Sequence, residues 1–340
     1  MKIIDMRSDT VTKPTDEMRK AAAEAIVGDD VFGDDPTVIE LEEYAADLLG
    51  MEKALYVSSG TQGNLISILA QTNTGDEVLL EEQSHIYLYE AGGMSALGGT
   101  IPKTYKSDRG YISPENIRSL IREDNVHFAK SSLFCIENTH NKHGGAVLSP
   151  DQIKEMASTA REFDLKVHLD GARIFNACTA LNVDIKEYTQ HVDSIQLCLS
   201  KGLSAPIGSL VAGSKEFIYI ARRKRKMLGG GMRQVGIIAA PGLIALRHMR
   251  DRLKFDHENA KYLEQGLIQH GLEVFPVETN ILVCNVSRYF ENATQAVSSL
   301  KEHGILISPF GNTLVRFTTH REIEREDIER TISVIQENWK

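Results

Sequence analysis

Short apolar runs, each ending in a polar or glycine-containing turn, recur along the first two thirds of the chain. Residues 54–57, 77–80, 165–169 and 194–199 are too short for buried helices and rich in aliphatic side chains, so each predicts a buried strand. Residues 65–70 predict a buried helix, and residues 87–92 a helix-like segment. Strand-like and helix-like stretches alternate from about residue 53 to 220, which predicts a mostly parallel sheet covered by helices. A longer helix-like stretch from Ile237 to about Leu272 leads into a smaller unit. There, residues 280–284 and 313–317 predict strands, and residues 327–339 a closing helix. The pattern predicts an α/β large domain with an N-terminal arm over 1–246 and a smaller α/β domain over 247–340.

Two of these strands end in reactive groups. Residues 165–169 stop at Asp170-Gly171, and residues 194–199 stop at Ser200-Lys201-Gly202. Ligands of α/β sheets collect at the carboxyl ends of strands. One carboxylate and one amine there form the pair that a pyridoxal 5'-phosphate (PLP) enzyme uses. The amine bonds covalently to the cofactor aldehyde, and the carboxylate keeps the pyridine nitrogen protonated. Taken singly, Asp-Gly is an ordinary turn and Lys-Gly a solvated loop.

A phosphate site would complete the set. The strand at 54–57 runs through Ser58-Ser59-Gly60-Thr61-Gln62-Gly63-Asn64 into a helix, an arrangement that aims free backbone N–H groups at an anion. Gly60 allows close approach, and Ser59 or Thr61 can add a hydroxyl donor. The turn matches neither a Walker loop nor GxGxxG, which disfavours a nucleotide. The plainer alternative is a helix N-cap by Ser or Thr. His85, between a strand end and a helix-like segment, suits a residue that stacks on a pyridine face and moves protons, against an ordinary structural role. Arg316 lies mid-strand among apolar residues, and a buried guanidinium needs an anionic partner. An internal acid would serve, but a substrate carboxylate fits the other features better.

Composition narrows the classes. The chain has 340 residues, 42% apolar, enough for a full core in one large and one smaller domain. A net charge of −9 disfavours a general nucleic-acid surface. The basic run 222–226 reads as a solvated helix face or a subunit contact, because no aromatic stacking set accompanies it. Gly229-Gly230-Gly231 is ordinarily a flexible turn, but next to Arg233 it is also suited to bring backbone close to an anion. No secretory pattern or membrane-length run is visible. Cys135, Cys178, Cys198 and Cys284 are scattered in apolar contexts, as reduced thiols of a cytoplasmic protein would be. No local metal-ligand spacing occurs.

Several motifs together resemble the low-specificity L-threonine aldolases. They are Met6-Arg7-Ser8-Asp9-Thr10-Val11-Thr12, the stretch from Val27 to Thr37 with Gly28-Asp29-Asp30-Val31-Phe32-Gly33-Asp34-Asp35-Pro36, and Glu137-Asn138-Thr139-His140-Asn141. The Asp170 and Lys201 motifs and Gly229-Gly230-Gly231-Met232-Arg233-Gln234 complete the set. The likeness runs from Asp5 to His320, although residues 141–145 make that loop slightly long. The resemblance implies the aspartate-aminotransferase-like fold (fold type I), PLP as cofactor, an amino-acid substrate, and a homotetramer built from dimers. It also implies that Lys201 carries the cofactor, Asp170 partners the pyridine nitrogen and His85 stacks on the ring. Gly60, Thr61 and Ser200 match the phosphate-holding positions. Ser8, Arg173 and Arg316 match positions that grip the substrate carboxylate or the cofactor's phenolic oxygen. His127 matches a second histidine near the substrate hydroxyl, and Arg233 a cofactor-site residue reaching the neighbouring subunit. The implied reaction is cleavage of L-threonine or L-allo-threonine to glycine and acetaldehyde. The same residues would also suit another PLP-dependent lyase, a racemase, or a binding protein that keeps the fold without catalysis.

Overall fold

The computed structural model describes residues 2–340. The strands are β1 (Ile4–Asp5), β2 (Lys53–Val57), β3 (Glu77–Glu81), β4 (Ile101–Tyr105), β5 (Ser131–Glu137), β6 (Lys166–Asp170) and β7 (Ser194–Cys198). After these come β8 (Ser209–Gly213), β9 (Glu273–Val274), β10 (Ile281–Asn285), β11 (Ile305–Leu306), β12 (Ser308–Pro309) and β13 (Leu314–Thr318). Seven of them form one sheet in the order β2-β8-β7-β6-β5-β3-β4. Its pairings are parallel except that β8 runs antiparallel to both neighbours. The carboxyl ends of β3, β5, β6 and β7 therefore share one edge, and register sets Glu137 beside Asp170.

Burial on both faces explains the continuous apolar runs of β3, β7 and β8, each of whose five residues is buried. Phe134, Val167, Leu169, Ile195 and Leu197 form the centre of the main core. The helix Gly60–Gln71 follows β2 but packs over the middle of the sheet. A Cβ on Gly63 would lie 2.7 Å from Gln196 Cγ, so only glycine permits this approach.

A second core gathers Leu263, Leu267, Leu282, Val315, Phe317 and Trp339. It includes Ile4 and Met6, because β1 pairs in parallel with β11 and Thr318 N–H donates to Met6 O. The N-terminal strand thus packs with the C-terminal unit, whose main sheet is β12-β13-β10-β9.

Three expectations need correction. The helix-like stretch from Ile237 is two helices, Gly236–His248 and Leu253–Gln269. Between them Arg250 Nε caps Leu246 O, and the chain passes from the first core, at Leu253, to the second, at Ala260. Residues 87–92 hold the end of one short helix, His85–Leu88, and the turn before a second, Gly93–Ala96, where Ala91 and Gly92 take φ of 54° and 67°. The basic run lies on the helix Lys215–Met227, but it is not wholly solvated. Arg225 is buried, donates to Tyr56 O at 2.6 Å and pairs with Asp30, while Arg222 reaches Asp30 and Glu42. Asp35 caps the helix Pro36–Leu49 and accepts from Gly28 N and Gly236 N. Much of the acidic motif between Gly28 and Pro36 is therefore structural. The four cysteines are free thiols. Among the described residues no helix is long and apolar enough to cross a membrane.

Candidate active site

The shared strand edge faces a cleft of about 380 Å³ lined by Ser8, His85, Tyr89, Asn141, Arg173, Lys201, Phe310 and Arg316. Asp170, 2% exposed, closes β6 beneath it. Its Oδ1 accepts from Ala172 N at 3.1 Å and its Oδ2 from Asn64 Nδ2 at 2.9 Å. Asn64 Nδ2 also donates to Glu90 Oε1 at 2.8 Å.

Hydrogen-bond bookkeeping then fixes a chain of donors behind Asp170. With its amide nitrogen committed to two carboxylates, Asn64 uses Oδ1 to accept from His168 Nε2 at 3.1 Å. His168 Nδ1 must accept, and Ser194 Oγ donates to it at 2.8 Å. Ser194 Oγ in turn accepts from Gln71 Nε2 at 2.8 Å. Burial pushes the His168 imidazole down to about 4, against the pull of Asp170, so it stays neutral at pH 7 and can play this split role.

His85 is held by its surroundings rather than loose in a loop. Its backbone N–H donates to Glu137 Oε2 at 2.6 Å and its Nδ1 lies 2.9 Å from Glu90 Oε1. Burial works against an imidazolium here, but the Glu90 bond and the Asp170 charge outweigh it and raise the His85 pKa. Burial also raises Glu90, with His85 opposing.

On the other wall, Arg173 Nε and Nη2 form a forked pair with Asp9 at 2.8 and 2.7 Å, both residues buried. Burial opposes the Asp9 charge, yet the Arg173 guanidinium holds its carboxyl well below the usual range. Breaking such a pair strands a buried charge and costs about 3–5 kcal/mol. Asp9→Ala is therefore expected to lower the denaturation midpoint markedly at pH 7. Because the folded-state pKa is depressed, the pair stabilises the fold above the unfolded carboxylate pKa of about 3.9 and loses this as pH falls further. The deficit of the variant should shrink only below about pH 4. Equal midpoints for variant and wild type at pH 7 would show that Arg173 does not depend on Asp9.

Arg316, on β13, has no carboxylate within ion-pair distance among the described residues. Its Nη1 donates to Asn141 Oδ1 and its Nη2 to Arg7 O, each at 2.9 Å, and its Nε has no partner. Burial and the Arg173 charge push it down to about 10. Lys201 follows β7, and only its backbone is bound: its carbonyl accepts from Thr12 Oγ1 and Ser204 N.

Gly60 opens the helix behind the cleft, with Ser59 Oγ accepting from Gln62 N. A Cβ on Gly60 would lie 2.9 Å from Cys198 Sγ, so close helix–strand packing demands this glycine. Thr61 is exposed in the same first turn, and Ser200 is half-buried beside Lys201. Residues 229–231 pass the same turn, since a Cβ on Gly230 would strike the Gln62 side chain. Arg233 is exposed and pairs with Asp29 at 2.9 Å, outside the cleft of its own chain.

His127 is not brought into this site. It lies exposed in the loop before β5, at the amino end of a seven-residue strand whose carboxyl end carries Glu137. That separation is about 20 Å at strand rise, so within one chain His127 cannot reach a substrate at Lys201. Sequence reasoning also missed Asp9, Asn64, Glu90, Glu137 and Asn141. Asp9 adjoins the selected Ser8, but its partner Arg173 lies 164 residues away, and Glu90, five residues after its partner His85, also accepts from Asn64, 26 residues before it.

The beta-eliminating lyase family profile matches residues 5–296. The chain is 43% identical to the low specificity L-threonine aldolase of Escherichia coli K12, with 96% of each chain covered. It is 42% identical to a probable low-specificity L-threonine aldolase 2 of Arabidopsis thaliana, covering 99% of this chain and 97% of that one. In fold it is similar to a Leishmania major threonine aldolase, with a TM-score of 0.85 at 19% identity over 98% and 99% of the two chains. The alternating apolar runs, the strand-end carboxylate and amine, and these similarities agree that the chain belongs to the beta-eliminating lyase family, among its low-specificity L-threonine aldolases.

Proposed function

We propose that this chain cleaves L-threonine and L-allo-threonine to glycine and acetaldehyde, with PLP held in the cleft. The observation that carries the reading is a set of unpaired charges. Asp170 is a buried carboxylate with no cationic partner among the described residues, and Lys201 and Arg316 have no carboxylate partners among them. A cationic pyridine nitrogen, an aldehyde and a substrate carboxylate would complete them. Lys201 would hold the cofactor covalently, Asp170 would face its ring nitrogen, and His85 would cover the ring. Gly60, Thr61 and Ser200 would hold the phosphate. When bound, PLP supplies an electron-withdrawing ring that accepts the electron pair released at the substrate Cα.

The remaining work falls to side chains. Arg316 and Ser8 bind the substrate carboxylate, and Arg173 Nη1 is the guanidinium nitrogen not committed to Asp9. This grip orients the Cα–Cβ bond. His85, with Nδ1 on Glu90, presents Nε2 as the base that takes the β-hydroxyl proton while that bond breaks. A proton returns to Cα as glycine forms.

Removing one side of a desolvated charge pair costs roughly 2–5 kcal/mol. Arg316→Ala should therefore lower kcat/KM by about one and a half to three and a half orders of magnitude, with the cofactor absorbance retained. Unchanged kinetics would make Arg316 a purely structural residue.

The proposed assembly is a dimer that pairs into tetramers, with Arg233 serving the neighbour's cofactor site. Ile26, Val31, Phe32 and Ile237, on segments beside Arg233, are exposed apolar residues that an interface would cover. A hybrid of Lys201→Ala and Arg233→Ala subunits would then contain one intact site and regain activity that neither parent shows. Hybrids as inactive as their parents would place Arg233 in its own chain's site.

The function itself is tested by products. The purified holoprotein is incubated with each β-epimer of L-threonine, and acetaldehyde, glycine, 2-oxobutyrate and D-isomers are quantified. Acetaldehyde and glycine in equal amounts are expected. 2-Oxobutyrate with ammonia would assign β-elimination instead, and D-isomers without fragmentation a racemase.

A further inference from the structure

Beside the cleft, but turned away from it, Glu81 meets two histidines of the loop after β5. Glu81 closes β3, and β5 is its neighbour in the sheet, so the loop of residues 138–146 folds over its carboxylate. His140 Nε2 lies 3.2 Å from Glu81 Oε2, and His143 Nε2 lies 3.5 Å from Glu81 Oε1. The ligand atoms of all three residues fall within 4.8 Å of one another. His140 is wholly buried, yet neither of its ring nitrogens makes a hydrogen bond.

We propose that Glu81, His140 and His143 form a binding site for a divalent transition-metal ion of the zinc type. Imidazole nitrogens and one carboxylate are ligands that suit such an ion, and three protein ligands leave a fourth position for water. Bonds of 2.0–2.1 Å in a tetrahedron place ligand atoms about 3.3–3.4 Å apart. The observed 3.2 and 3.5 Å match those edges. Ser107 Oγ, 3.4 Å from His143 Nε2, is a further polar atom beside the trio. Gln83 N donates to Glu81 Oε2 at 2.5 Å and fixes the carboxylate's orientation. Entry is through His143, the one partly exposed member. Local sequence spacing could not reveal the site, because Glu81 and His140 come from different strand ends. The ion would fix the loop that carries Asn141, the residue that bonds Arg316.

The test uses the holoprotein after chelator treatment and dialysis. Zinc chloride is titrated by calorimetry into wild type, His143→Ala and Glu81→Gln. Wild type is expected to bind one zinc ion per chain that each variant binds at least about tenfold more weakly. Cobalt(II) added to wild type alone should give the intense visible bands of a four-coordinate ion, a readout that needs no variant to fold. No binding by wild type would leave the trio as a proton-sharing ion pair and overturn the proposal. Identical isotherms in all three proteins, or only the weak bands of a six-coordinate cobalt ion, would overturn it equally.

Discussion

Lys201→Ala is expected to abolish covalent attachment of the cofactor and to lower turnover at least about a hundredfold, the low end of what a positioned acid–base group contributes. The side chain has no protein partner among the described residues, and the contacts at this position belong to its carbonyl. Removing the amine should therefore leave the thermal midpoint of the apoprotein nearly unchanged. That separates loss of chemistry from loss of fold. A variant that keeps both the visible absorbance and the turnover of wild type would remove Lys201 from the mechanism.

Asp170→Asn should keep the cofactor and lose turnover by about a hundredfold or more. An amide does not hold a pyridine nitrogen protonated as a carboxylate does. Each pKa unit lost at that nitrogen is about 1.4 kcal/mol, so two units correspond to the hundredfold loss. The surroundings add a second penalty. Asp170 accepts through both oxygens, from Ala172 N and from Asn64 Nδ2, whereas asparagine has only one acceptor oxygen. Its amide nitrogen would face one of these donors. Near-normal kcat in this variant would mean that Asp170 merely terminates β6.

The elements that were legible in the sequence are those whose burial is local and continuous. The runs at 165–169 and 194–199 became β6 and β7, and their terminal Asp170 and Lys201 face one edge because the strands are parallel neighbours. Arg316 stood out because a guanidinium interrupts an apolar strand, and the structure leaves it without an acid. What was hidden depends on long-range partners. Arg225 looked like one member of a solvated basic run until Asp30, 195 residues away, paired with it in the interior. Asp9 lies 164 residues from Arg173, and no periodicity links them. Gly60 was legible as a residue of close approach, but the surface approached is Cys198. The placement of His127 required knowing which end of β5 faces the cleft, which follows from sheet direction and not from the motif around it.

The central claim is that the charges left unpaired in this cleft are completed by PLP bound through Lys201. Borohydride reduction of the holoprotein, followed by peptide mapping, tests it directly. A single stable cofactor adduct is expected on the peptide containing Ser200-Lys201-Gly202. An adduct on any other lysine, or none in protein that carries the cofactor, would contradict it.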